Sequence, residues 1–137
     1  MRLNEVTHAV LRIGAGLLFI QHGLQKIFGV FGGLGAPGAT APLMSLMGVA
    51  GLLECIGGAL IVIGLLTRPT AIVLIVEMIA AFAIAHFPRG GFPIENQGEL
   101  ALLYALIFIF LAANGAGPLS IDDRLATLTA ASRRFTF

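Results

Sequence analysis

Three glutamates lie inside or at the mouth of apolar runs long enough to cross a membrane: Glu54, Glu77 and Glu99. Glu54 is near the middle of the run over residues 43–66. A carboxylate at that depth costs about 2.5–3.5 kcal/mol on an isolated helix, so it should face a partner or water rather than lipid. The same runs carry the basic residues Arg12, His22 and Lys26. The chemistry of this chain is expected among these basic side chains and the three glutamates.

The composition indicates that lipid surrounds most of the chain. Of the 137 residues, 58% are hydrophobic and 11% are charged, whereas soluble domains carry about 25% charged residues. A soluble protein of this size could not bury so much apolar surface. The net charge of +1 gives no reason to expect nucleic acid as a partner. The single cysteine, Cys55, excludes an internal disulfide, and no metal site is predicted.

Four apolar segments are predicted to span the membrane, which makes the fold class an all-α bundle. They cover about residues 7–28, 43–66, 69–87 and 98–116, and about 20 residues at 1.5 Å per residue cross the ~30 Å hydrocarbon core. Pro69 suits the first turn of the third helix, because that turn does not need the amide hydrogen that proline lacks. Residues 1–119 are therefore predicted to be the transmembrane domain.

The tail at residues 120–137 is predicted to form a short amphipathic helix on the cytoplasmic membrane surface. Ser120 and Asp123 have the spacing of a helix N-terminal cap. The apolar positions after the cap repeat at helical spacing: Ile121, Leu125 and Leu128. Such a helix lies with its apolar side against the lipid.

The basic residues predict that both termini are cytoplasmic. With four spans, both termini share one side of the membrane with the short turn after the second span. That side holds five arginines: Arg2, Arg68, Arg124, Arg133 and Arg134. The opposite side holds only Lys26 and Arg89, and an excess of Arg and Lys marks the cytoplasmic side.

The predicted depths place the polar side chains in two groups. The outer group supplies the candidate substrate-binding residues: Gln25, Lys26, His86 and Glu99. Glu54 and His22 are the candidate catalytic residues, because either could exchange protons with a ligand. Glu54 has small residues three and four positions away, which indicates a face packed on protein. The deeper group is a predicted structural ion pair between Arg12 and Glu77.

Each assignment has a structural alternative. Glu54 could serve only as the partner of a buried cation that fixes helix register, and Lys26 and Arg89 could anchor the helices at the headgroups. His22 could be an interhelical hydrogen-bonding residue rather than a ligand. Haem is disfavoured, because its one candidate axial pair, His22 and His86, differs in depth by about 6 Å. A di-iron site would need Glu-x-x-His pairs, which are absent from the sequence.

A long uncharged loop, GVFGGLGAPGATAP, connects the first two spans. It is more apolar than an ordinary solvated linker, so two alternatives are open: it folds back over the mouth of the bundle, or it is a flexible surface loop. Residues 33–38 match G-x-G-x-x-G, but a membrane helix precedes them and Pro37 interrupts them. Nucleotide binding is therefore not predicted.

The sequence resembles the DoxX family of small membrane proteins in three stretches. They are HGLQKIFG at 22–29, ECIGG at 54–58 continuing to GLLTR at 64–68, and GEL at 98–100 running to GPLSID at 117–122. The resemblance implies a four-helix protein of the bacterial cytoplasmic (inner) membrane. It also implies four landmark residues: Lys26, Glu54, Glu99 and Asp122.

The resemblance further implies a redox role, because the family is named for a subunit linked to thiosulfate oxidation coupled to quinone reduction. The leading hypothesis is a membrane subunit that binds quinone or a related small molecule and works as a homo-oligomer or with a partner redox subunit. Its electrons would come from that partner or from a bound cofactor; enzymatic activity is implied by the resemblance alone. The alternatives are a non-catalytic membrane scaffold for a partner complex and a small proton-coupled transporter.

Overall fold

The computed structural model describes residues 1–133 as a helical bundle. Its long helices are α1 (Leu3–Phe28), α2 (Leu46–Ile63), α3 (Thr67–Ala81) and α5 (Glu99–Asn114), and its shorter ones are α4 (Pro93–Asn96) and α6 (Ile121–Arg133). α3 continues through a π-helical turn, Phe82–His86, and a 3-10 turn, Phe87–Arg89. No strand occurs within residues 1–133, so the all-α class is confirmed.

Within residues 1–133, three helical segments are long and apolar enough to cross a membrane: Leu3–Phe28, Leu46–Ile63 and Thr67–Arg89. α5 is also apolar but has 16 residues, about 24 Å at 1.5 Å per residue. The observed bounds differ from the predicted ones by a few residues. α2 ends at Ile63 because Gly64 takes a left-handed conformation, with φ of 66°, that closes the helix.

The long helices form two close antiparallel pairs, α1 with α2 and α3 with α5. Glycine permits the contact in the first pair. A Cβ added at Gly23 would lie 2.6 Å from the Cys55 amide nitrogen, and one added at Gly16 would lie 3.0 Å from the Gly58 carbonyl oxygen. Small residues at such positions let helix backbones approach closely.

Aromatic side chains join the two pairs in the centre of the bundle. Phe19 of α1 meets Tyr104 and Phe108 of α5 edge to face, with ring centroids 4.9 Å apart in both cases. These rings are buried together with side chains of the other long helices: Ile61, Leu74, Met78 and Leu111. α2 and α3 pack against each other less closely, which leaves a groove between them.

The loop between α1 and α2 takes the first of the two alternatives, because part of it lies over the bundle. The Ala41 amide donates a hydrogen bond to the Lys26 carbonyl at 2.7 Å. Ala41 is buried, and Leu34 reaches the mouth of the groove.

The tail begins as predicted. Ser120 Oγ accepts a hydrogen bond from the Asp123 amide at 3.2 Å and caps α6. The apolar positions Ile121, Leu125 and Leu128 are exposed. Arg134 and the rest of the predicted tail beyond it lie outside the described residues.

Replacement of Gly23 by alanine is expected to destabilise the bundle. The new methyl group would press on the backbone of α2 at Cys55 and Gly51, and overpacking of this kind costs about 1–3 kcal/mol. Gly14 is the matched control, because the space around its Cβ position is open. Gly14→Ala should be neutral or stabilising through helix propensity. Thermal unfolding in detergent, monitored by circular dichroism, compares them, and equal melting temperatures would contradict the close α1–α2 contact.

Candidate functional site: a groove between two helices

A groove of about 670 Å³ opens between α2 and α3, at the end of the bundle where the α1–α2 loop lies. Its wall is mostly aliphatic, and the charged or titratable side chains that line it are Lys26, Glu54, Glu77, His86 and Arg89. Small-molecule sites typically combine an apolar cavity with a few polar groups of this kind. The groove is therefore the candidate site.

Lys26 and Glu54 form an ion pair at the base of the groove. Lys26 Nζ of α1 donates a hydrogen bond to Glu54 Oε1 of α2. Glu54 is only 3% exposed. A Cβ added at Gly51 would lie 2.9 Å from the Lys26 Cβ, so this glycine allows the lysine stem to pack directly on α2. A buried charge that loses such a partner is left uncompensated, which is strongly destabilising.

Three carboxylate oxygens of the groove residues have no hydrogen-bond partner among residues 1–131. They are Glu54 Oε2 and both side-chain oxygens of Glu77, and all three are buried. Buried polar groups in proteins are normally hydrogen-bonded, and a buried acceptor without a donor costs about 1–3 kcal/mol. The groove therefore offers three acceptors beside one ammonium group, which suits a ligand that carries O–H or N–H donors.

His86 of the outer group also lines the groove. Its Nδ1 lies 3.1 Å from the Asn96 carbonyl oxygen. A carbonyl oxygen only accepts hydrogen bonds, so Nδ1 is assigned as the donor, and Nε2 is the acceptor when the ring is neutral. The π-helical turn that carries His86 belongs to a class of helix irregularity found frequently at functional sites.

The remaining members of the predicted outer group lie away from the groove. His22 packs its ring against Tyr104 of α5, with centroids 5.9 Å apart. Gln25 donates a hydrogen bond from Nε2 to the Phe31 carbonyl at 3.2 Å, and Glu99 is exposed at the start of α5. The structure thus brings Lys26, Glu54 and His86 to one cavity and leaves His22, Gln25 and Glu99 outside it.

The predicted ion pair between Arg12 and Glu77 is wrong. The guanidinium of Arg12 is fully buried and donates to backbone carbonyls, which belong to Ile61 (2.8 Å), Val62, Pro118 (3.3 Å) and Leu119 (2.8 Å). The last carbonyls of a helix lack intrahelical partners, so the end of α2 provides Arg12 with acceptors. Glu77 lines the groove instead.

Sequence reasoning missed Glu77 and Arg89 as members of the site. A signal for Glu77 was present, since Ala80 and Ala81 lie three and four positions after it and also line the groove. Arg89 carried no comparable signal, because its position depends on the irregular turns after α3.

Asp122, a landmark implied by the family resemblance, lies at the opposite end of the bundle. Its carboxylate accepts hydrogen bonds from the backbone amides of Leu66 and Thr67, both at 2.9 Å, and so satisfies amides at the start of α3. Burial raises the pKa of the Asp122 carboxyl, but these hydrogen bonds and the charge of Arg12 outweigh it, so the pKa lies below its ordinary value. Asp122 therefore stabilises the end of the bundle remote from the groove.

The apolar spans and the groove with its few charged side chains define a helical integral membrane protein with a candidate small-molecule site. A family model described as DoxX matches residues 7–87. The chain belongs to the DoxX family, which confirms the resemblance seen in its sequence.

Three relatives match over most of their own length. An uncharacterized protein of Haemophilus influenzae is 41% identical, over 85% of this chain and 88% of its own. An uncharacterized membrane protein of Mycobacterium tuberculosis is 30% identical, over 85% and 79% of the two chains. A Bacillus subtilis protein named "Putative oxidoreductase CatD" is 29% identical, over 86% of each chain. No solved structure matches.

A double-mutant cycle on Lys26 and Glu54 should reveal strong coupling in the free energy of unfolding. Lys26→Met alone is expected to cost about 3–5 kcal/mol, because it leaves a buried carboxylate without its cation. The double variant Lys26→Met/Glu54→Gln should cost less than the sum of the single variants. The matched control is the exposed pair Arg2–Glu5, where the coupling should be near zero. Additive effects at Lys26 and Glu54 would contradict the buried ion pair.

Replacement of Asp122 by asparagine should remove an acid-sensitive part of the stability. The folded-state pKa lies below the unfolded value of about 3.9. The stabilisation is therefore complete above that value and is lost as pH falls through the folded-state pKa. Melting temperatures measured from pH 6 to pH 2 should fall more steeply for the wild type than for Asp122→Asn. Asp123→Asn, at an exposed neighbouring position, should keep the wild-type slope; parallel curves for all three proteins would contradict the role of Asp122.

Proposed function

We propose that the protein is a membrane subunit of a redox system and that it binds a quinone, or a related ring molecule, in the groove between α2 and α3. The observation that carries the proposal is the set of three unpartnered carboxylate oxygens beside Lys26 in an aliphatic cavity. The name of the Bacillus subtilis relative, "Putative oxidoreductase CatD", supports the redox assignment.

The two carboxyl groups suit the proton exchange that accompanies quinone chemistry. The hydroxyl groups of a quinol donate hydrogen bonds, for which Glu54 and Glu77 supply acceptors. The carbonyl oxygens of the oxidised ring only accept, and they are matched by Lys26 Nζ and by a protonated carboxyl group. Oxidation of the quinol yields two protons, which pass one after the other to the Glu54 carboxylate as general base and from it to water at the groove mouth. The two electrons pass to a redox centre on a partner subunit. Reduction of the quinone reverses both transfers.

The walls of the groove suit a ligand that enters from the bilayer. Val49 of α2 and Val76 of α3 line opposite walls and are also exposed on the outer surface of the bundle. In a membrane that surface meets lipid chains, so a lipid-soluble ring reaches the carboxyl groups without crossing water.

We further propose that α5 is a fourth span and that both termini lie in the bacterial cytoplasm. Arg68, at the start of α3, donates hydrogen bonds to the carbonyls of Ala112 and Ala113, at the end of α5, so these helices run antiparallel through the same depth. Arg2, Arg68 and Arg124 lie at the end of the bundle remote from the groove, which the positive-inside rule assigns to the cytoplasm. The groove then opens near the outer face of the cytoplasmic membrane.

The proposal is tested by titrating a quinone with a ten-carbon tail into the protein in lipid nanodiscs. Wild type should bind it saturably. Glu54→Gln should weaken binding by about tenfold to a hundredfold, since a hydrogen bond to a charged group contributes about 1.5–3 kcal/mol. Glu77→Gln replaces one neutral group by another and should weaken binding by up to about tenfold, since a hydrogen bond between neutral groups contributes about 0.5–1.5 kcal/mol. Glu95→Gln is the matched control, because Glu95 is an exposed carboxylate that does not line the groove.

Two results would contradict quinone binding in this groove. One is equal affinity for the wild type and all three variants. The other is a wild type that does not bind the probe saturably, with no quinone found by absorbance and mass spectrometry of gently purified protein. The second result would favour the scaffold alternative.

A further inference from the structure

The base of the groove has one more carboxyl group than it has cations. Lys26, from α1, pairs with Glu54, from α2. Glu77, from α3, has no hydrogen-bonding or ionic partner among residues 1–131. The other titratable side chains that line the groove are His86 and Arg89, on the turns after α3 at the groove mouth.

The surroundings of Glu77 therefore favour its protonated form when no ligand is bound. An ionised carboxylate with neither a cation nor hydrogen-bond donors is strongly unfavourable in apolar surroundings. Ionisation of Glu77 becomes favourable only when a positive charge arrives beside it. The base of the groove, formed by Lys26, Glu54 and protonated Glu77, is thus neutral overall and gains one negative charge when Glu77 releases its proton.

A primary ammonium group matches both the charge and the acceptors. It carries one positive charge and three N–H donors. The base of the groove offers three unpartnered oxygens, from Glu54 and Glu77. Glu54 is 3% exposed, so its unpaired oxygen is enclosed rather than available to bulk water. The adjoining wall is aliphatic, with side chains such as Leu53, Val73 and Val76, and suits a hydrocarbon tail.

We propose that the groove binds alkyl primary ammonium ions, amphipathic molecules with a charged amine head and an aliphatic tail, in exchange for a proton. On binding, the O–H bond of Glu77 breaks, the proton leaves to water at the groove mouth, and the carboxylate pairs with the ammonium group. Two carboxylates then face two ammonium groups, that of Lys26 and that of the ligand. No electron is transferred, so this activity is separate from the redox role proposed above and competes for the same acceptors.

The test measures proton release when decylammonium chloride is added to the protein in weakly buffered nanodiscs at pH 7. Wild type should release close to one proton per bound ligand, with saturation. Glu77→Gln should release none above the level of empty nanodiscs and should bind at least tenfold more weakly. Glu95→Gln, at an exposed carboxylate outside the groove, should behave as wild type.

Two further probes separate charge from hydrogen bonding. Decyltrimethylammonium carries the charge without N–H donors, and decanol carries one donor without charge. The first should bind about tenfold more weakly than decylammonium, and the second should release no proton. Equal proton release by wild type and Glu77→Gln, or equal affinity for decanol and decylammonium, would overturn the proposal.

A measurement on the wild type alone tests the proposal even if the Glu77→Gln variant does not fold. A hydrophobic carbodiimide should modify the protonated carboxyl of Glu77, and decylammonium should protect it, as read by mass spectrometry of the peptide that contains residue 77. Modification at an undiminished rate in saturating decylammonium would overturn the proposal. These outcomes do not depend on the quinone titration, so either activity can fail while the other stands.

Discussion

The ion pair between Lys26 and Glu54 is the interaction around which the site is arranged. It forms because α1 and α2 approach closely at glycines such as Gly23 and Gly51, which lets the lysine stem lie on α2. The only lysine of the chain is thereby used to neutralise one carboxyl group. The second carboxyl group, on Glu77, is left in the groove without a cation. The chemistry proposed for the groove depends on this excess of one carboxyl group over the ammonium groups at its base.

The two ends of the bundle differ in how firmly they are fixed. At the end remote from the groove, charged side chains bind backbone groups: Arg12 binds carbonyls of α2 and of the segment before α6, and Asp122 binds amides at the start of α3. These contacts hold the α2–α3 connection in place. At the other end, α2 and α3 separate to form the groove. The helices α2 and α3 are thus held together at the turn that connects them, and they are separated at the other end, where the ligand is proposed to bind.

Much of the fold could be predicted because its signals are local. Apolar runs indicated the helices, Pro69 marked the first turn of α3, and Ser120 marked the cap of α6. Glu54 could be recognised as inward-facing because small residues surround it on the helix surface. The partners of Arg12 could not be predicted, since they are backbone carbonyls, which every residue supplies. The position of Glu77 depends on the rotation of α3 about its axis, for which the small residues Ala80 and Ala81 were the one sequence signal; the rest of this apolar helix has no clear polar face.

The π-helical turn at Phe82–His86 lies between the base of the groove and its mouth. Such a turn inserts about one residue relative to an α-helix, and one residue corresponds to a rotation of about 100°. The side chains beyond it are therefore not in the angular register that α3 would impose on them. Evolution or a designer can consequently alter the mouth of the groove, through the π-helical turn and the 3-10 turn after it, while the carboxyl groups at the base keep their place.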